Sequence, residues 1–152
     1  MTAPTLPELE AEEASLILKH FDETVACQLG AILVGLAQTR ALPVVINIRS
    51  ANRTYFHAAL PGSSANNDAW ARRKSNLALI MDRASLIVAM KLAERGRTLA
   101  TEGLPEADYA DSGGAVPLRV AGAGVVAVAT VSGLPQVEDH QLVVEGIRAL
   151  LA

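Results

Sequence analysis

The stretch Gly113 to Gln141 reads G-G-A-V-P-L-R-V-A-G-A-G-V-V-A-V-A-T-V-S-G-L-P-Q-V-E-D-H-Q, and it decides the fold. Val116 to Val120 and Val125 to Val131 are β-rich runs, and Ala121-Gly122-Ala123-Gly124 turns one into the other. Ser132-Gly133-Leu134-Pro135 then steps into a last helix, because proline loses no hydrogen bond in a first turn. Val143, Ile147, Leu150 and Leu151 are expected to form the buried stripe of that helix. The rest of the chain supplies partners for these strands and walls for that step, where a ligand is expected to sit.

Upstream, Pro43-Val44-Val45-Ile46-Asn47-Ile48 and Arg53-Thr54-Tyr55-Phe56-His57-Ala58 are two further strand runs, joined by the polar Arg49-Ser50-Ala51-Asn52 as in a hairpin. Thr5, Pro7 and Glu8 make a capping-box start for a first helix to about Lys19. Asp22 caps a second, with apolar residues at 25, 29, 32, 33 and 36. Ser63, Ser64, Asn67 and Asp68 offer caps for a third helix through Trp70, Leu77 and Met81. Ser85 starts a fourth through Leu92, and Gly96 stops it. From Arg97 to Gly114 the period disappears, and irregular connections of that length are uncommon unless they cover something.

At 152 residues the chain fits one domain, residues 1–152, with 1–20 as an N-terminal helical extension. Its 51% apolar content with only 3% aromatics points to apolar surface shared between subunits, hence a homo-oligomer. A net charge of −3 and five aromatic residues leave no basic, base-stacking surface for nucleic acid. The opening Met1-Thr2-Ala3-Pro4 and the acidic first turn are unlike a secretory signal. Val120 to Val131 is too short for the ~20 residues of a membrane span. A cytoplasmic protein without membrane partners is expected.

Gly122-x-Gly124-x-x-Ala127 matches a dinucleotide fingerprint as a string, but that fingerprint needs a helix after its glycines and a strand follows here. Thr130 and Leu134 stand where a nucleophile elbow has glycine, so Ser132 reads as a turn residue or a ligand hydrogen-bonder. Asp139 and His140 diverge by about 100° on a helix and make no triad bond. His20, His57 and His140 share no ligand spacing, so no metal site is expected. Glu10-x-x-Glu13 reads as a solvated helix face, and Cys27 as a small buried hydrophobe.

Asn67-x-x-Trp70-x-x-Arg73-Lys74 puts an amide, an indole and two cations on one helix side. Two readings fit it. Trp70 anchors the core while Arg73 and Lys74 reach water, or the four form a wall for an anionic planar ligand or a neighbouring subunit. The free amides after Gly133 carry roughly half a positive charge and seat a carboxylate or phosphate, a role for which Asp139 competes. His140 is the side chain there best able to ligate iron or shuttle a proton. His57 alternates on a strand and could face the same cavity, and Arg119 adds a cation on the adjoining strand.

Leu42-Pro43-Val44 with Ile46-x-Ile48, Phe56-His57-x-Ala59, Asn67-x-x-Trp70-x-x-Arg73-Lys74, Tyr109-x-x-x-Gly113-Gly114-Ala115-x-Pro117, and Val131-Ser132-Gly133-Leu134 leading to Asp139-His140 resemble the GlcG/HbpS-like haem-degrading-domain family from Phe21 onward, in its short single-domain branch. The resemblance implies an α+β, profilin-like three-layer α/β/α fold on a five-stranded antiparallel sheet. Four strands are read from the residues, and the fifth comes from the resemblance. It also implies homo-oligomers and, for some relatives, binding or breakdown of haem. Two departures stand out: Ala127 where the family has glycine, which would narrow a ligand groove, and Ala84 where a serine precedes Ser85. Two functions follow: binding or weak turnover of haem or another anionic small ligand, and a non-enzymatic oligomeric interaction module. Enzyme activity is left open.

Overall fold

In the computed structural model, which describes residues 3–152, the strand Gly124–Ser132 is the middle of a five-stranded sheet. In chain order the elements are α1 (Leu6–Ser15), β1 (Ile17–Leu18), α2 (Glu23–Thr39), β2 (Val45–Arg49), β3 (Thr54–Ala59), α3 (Ala65–Met81), α4 (Ser85–Glu94), a single 3-10 turn (Ala100–Glu102), β4 (Ala115–Val120), β5 (Gly124–Ser132) and α5 (Gln136–Leu151). Met1 and Thr2 of the expected N-terminal extension lie outside the described residues. The strands are ordered β1-β4-β5-β2-β3.

The two expected hairpins form, with Ala115 opposite Thr130 in one and Val45 opposite Ala59 in the other. They join through β2 and β5, where Val45 lies opposite Ser132 and Asn47 opposite Thr130. The sheet is mixed rather than antiparallel throughout. β1 runs parallel to β4, pairing Ile17 with Arg119 and Leu18 with Val120. The first helix accordingly stops at Ser15 instead of reaching Lys19, because Leu16 and Leu18 bury themselves at the sheet edge. A two-residue strand has too few side chains to show a period of two, so its sequence reads as more helix. Pro117 is tolerated because β1 reaches only Arg119 and Val120, which leaves the outer side of β4 unpaired at the proline.

Strand alternation sorts β5 into two faces. Ala127, Ala129 and Val131 pack into the main core with Leu29, Leu33, Val143 and Ile147 of α2 and α5. Val128 meets Ala78 of α3 on the other face, and there Thr130 and Ser75 share a buried 2.7 Å hydroxyl bond. Helices thus cover both faces of the sheet. The small residues that replace aromatics let α2 and α5 come close: a Cβ on Gly146 would lie 2.5 Å from Leu33 Cδ2. Ala127 belongs to this α2/α5 face, fully buried, and so does not narrow a groove on the side of α3. Cys27 is exposed on α2, not buried, because the apolar stripe runs through Ala26, Leu29 and Leu33 and leaves position 27 on the water side.

The irregular segment from 97 to 114 lies along α3. Arg73 Nε donates to Glu106 O at 2.7 Å, Arg72 to Ala107 O at 2.8 Å and Asn76 to Asp108 O at 2.8 Å. Leu99, Leu104 and Tyr109 pack on Leu77, Val88 and Leu92. Side chains of α3 therefore supply the hydrogen bonds that this stretch of backbone lacks internally.

Candidate functional site

α3, the end of β5 and the turn into α5 meet around a cleft of about 230 Å³. Asn66, Asn67, Trp70 and Lys74 line it from α3, Ser132, Gly133, Leu134 and Asp139 from the strand end and α5, and Ser112 from the irregular segment. Helical spacing brings the α3 residues to one side, as positions 67, 70 and 74 require. Asn67 also closes the helix start, where its Oδ1 accepts the Ser64 amide at 2.9 Å.

Lys74 and Asp139 form the floor. Lys74 Nζ donates to Asp139 Oδ2 at 2.9 Å and to the Val131 carbonyl at 3.4 Å, with side-chain exposures of only 4% and 1% for the ion pair. Asp139 also accepts the Leu134 amide at 2.9 Å and the Gly133 amide at 3.4 Å. The turn amides that could seat an outside anion are already taken by this carboxylate. Burial pushes the Asp139 carboxyl above its ordinary range, while Lys74 and the two amides pull it back.

The backbone beside this pair must be glycine. Gly114 has φ +136°, and a Cβ there would lie 3.0 Å from Lys74 Nζ and 3.1 Å from Asp139 Cβ. Gly133 has φ +145°, and a Cβ would meet the Pro43 carbonyl at 2.5 Å. Both conformations are strained for any residue with a side chain.

Of the ten residues singled out from sequence, six line the cleft: Asn67, Trp70, Lys74, Ser132, Gly133 and Asp139. Arg73 stands just outside, its guanidinium 4.6 Å over the Trp70 ring. The picture of Trp70 in the core with Lys74 in water is reversed, for Trp70 is half-buried on the cleft and Lys74 is buried beneath it. Asn66, Ser112 and Leu134 were not singled out; Asn66 neighbours Asn67, and Ser112 sits in a segment without period.

The remaining three lie elsewhere. His140 is turned from the cleft by the angle that separates it from Asp139, and its Nε2 lies 2.7 Å from Glu12 Oε1 of α1. Its Nδ1 is buried with no hydrogen-bond partner among the described residues. His57 Nδ1 is 2.9 Å from Asn47 Nδ2 and its Nε2 is 3.0 Å from Asp68 Oδ1. Because Arg49 Nε, always a donor, holds Asn47 Oδ1 at 2.6 Å, the Asn47 amide group donates to His57. Arg119 is at the far end of the sheet, opposite Val125, where it bonds the Asp82 carbonyl and lies 3.4 Å from Glu13.

Glu13 is not on a solvated face. It is buried, accepts Arg83 Nε at 2.8 Å, and its Oε2 accepts the Ala84 amide at 2.7 Å. It takes the backbone amide of the N-cap residue Ala84, the donor that an N3 side chain accepts in a capping box, while Ala84 has no side-chain cap to offer.

The chain matches known proteins over nearly all of its length. The profile described as "Haem degrading protein HbpS-like" matches residues 21–148, and the chain belongs to that family. A UPF0303 protein of Streptomyces coelicolor is 46% identical over 151 residues, covering 99% of this chain and 96% of the relative. The crystal structure of the Ybr137w protein superposes with a TM-score of 0.88 at 29% identity, over 97% of this chain and 88% of that one. A PduOC–haem complex superposes with a TM-score of 0.71 at 21% identity, over 85% and 94%, and so shares the fold.

Proposed function

We propose that the chain is a self-associating small-ligand-binding protein, and that its ligand is a small anion held in the cleft of α3 and α5. The observation that carries this reading is the convergence of hydrogen-bond donors. The Asn66 and Asn67 amides, the Trp70 indole, the Ser112 and Ser132 hydroxyls and the Lys74 ammonium all belong to one polar cleft. Asp139, the carboxylate among them, is occupied by Lys74 and two backbone amides, and Asn67 Oδ1 by the Ser64 amide. An acceptor-rich carboxylate is the chemistry that such a lining leaves unsatisfied.

Haem is the ligand suggested by the family description and by the PduOC neighbour. The residues present do not fit it. The cleft offers no histidine, cysteine, methionine or tyrosine as an axial donor. His140 faces Glu12, and His57 Nδ1 is engaged by Asn47.

Self-association is supported by the exposed Ile17, Ile80 and Leu151 and by the free edge of β3. The same edge favours the second reading, a module that pairs with another protein by strand addition.

The test is calorimetric titration with a series of small carboxylates, beside a haemin titration followed at the Soret band. Saturable carboxylate binding that Trp70→Ala weakens at least tenfold is expected, with no saturable Soret shift. Saturable haemin binding with carboxylates inert would overturn the reading.

A further inference from the structure

Lys74 is an unusual choice for a mere tie between α3 and α5. The chain has three lysines, at 19, 74 and 91, and of these only Lys74 is buried, at 3% exposure. Its Nζ stands on the wall of the cleft with a carboxylate oxygen at 2.9 Å and one carbonyl at 3.4 Å. Gly114, whose missing Cβ would meet the Val131 carbonyl oxygen and come within 3.0 Å of that nitrogen, lets the backbone pack close beside it. A lysine amine that has passed its proton to a neighbouring base is a nucleophile toward carbonyl carbon. Asp139 is placed to take the proton, and burial already holds its carboxyl above the ordinary range.

We propose that Lys74 forms a Schiff base with the keto or aldehyde group of a small α-oxo acid bound in the cleft. The inference rests on the small-anion reading and names the substrate class. The carboxylate of the oxo acid meets the amide, indole and hydroxyl donors, and its carbonyl meets Lys74. Lys74 Nζ passes one proton to Asp139 Oδ2, and its lone pair forms a bond to the carbonyl carbon while the π electrons move to oxygen. That oxygen takes a second proton from the attacking nitrogen and becomes the hydroxyl of a carbinolamine, which returns the lone pair to nitrogen. Protonated again by way of Asp139, the hydroxyl leaves as water, and the nitrogen lone pair closes the C=N bond. The sum is one lysine ammonium and one carbonyl in, one protonated imine and one water out, with no oxidant or metal.

The test uses the wild-type chain in its native assembly, with pyruvate and glyoxylate as probes. Each is titrated by calorimetry, then incubated with sodium cyanoborohydride and mapped by peptide mass spectrometry. A saturable reduced adduct on Lys74, at least tenfold above that on Lys19 and Lys91, is expected. Asp139→Asn should slow its formation at least tenfold while circular dichroism remains native. Saturable binding of either acid with no adduct on Lys74 would overturn the Schiff base and leave the small-anion reading standing. Adducts only on Lys19 and Lys91 would also overturn it. Absence of both binding and adduct would overturn the two together.

Discussion

Lys74 and Asp139 show how a site is assembled from residues that carry no signal singly. They are 65 positions apart, yet share a 2.9 Å bond in a nearly water-free pocket. Removing one partner of a buried pair leaves the other charge unsolvated, so Lys74→Met should cost about 3–5 kcal/mol in chemical denaturation. Lys74→Met with Asp139→Asn should recover most of that loss, since an asparagine oxygen still accepts the Leu134 amide at no charge. A double variant as unstable as the sum of the singles would show that the ion pair is not the coupled unit. His140 teaches the reverse. Its neighbour Asp139 enters the cleft, and the angular step of the helix sends His140 to Glu12 instead. Adjacency in sequence suggested a shared role; rotation about the helix axis separates them.

Among the elements, α1 and α4 depend on each other through one carboxylate. Glu13 of α1 holds the Ala84 amide at the start of α4 and binds Arg83 Nε. Glu13→Ala should therefore lower stability by about 2–4 kcal/mol and speed amide exchange in the first turn of α4 before it affects α3. Equal exchange in both helices would argue against a capping role. The central strand makes a second expectation. Val128 is fully buried against Ala78 and Ala115, so Val128→Asp should cost on the order of 4 kcal/mol, read by thermal melts. Val125→Asp, near the hairpin turn and only half-buried, should cost about 1 kcal/mol. Similar melts for the two would mean that burial does not rise from the hairpin turn into the body of the strand.

For the molecule as a whole, the open edge of β3 and the exposed Ile80, at 53%, leave surface that one chain does not cover. Light scattering at micromolar concentration should give a mass at least twice the 15.9 kDa of the chain. A monomer at that concentration would sink the self-association claim. No helix among the described residues is long and apolar enough to cross a membrane.

Local chemistry alone determined most of the elements here. Thr5 and Asp22 cap the helices they were expected to cap, and at the start of α3 Asn67 closes back on the Ser64 amide, because capping is a contact within one turn. The four longer strands were legible because β-branched runs and glycine turns act over a few residues. The helical repeat of Asn67, Trp70 and Lys74 placed them on one side, for the same reason. What only the tertiary structure decided is everything that depends on distance along the chain. The strand order, the parallel β1, the place of Glu13 under α4 and the meeting of Lys74 with Asp139 arise from packing between segments tens of residues apart. Burial then set the chemistry, because a lysine is solvated or enclosed according to what its neighbours exclude, and no residue type carries that information by itself.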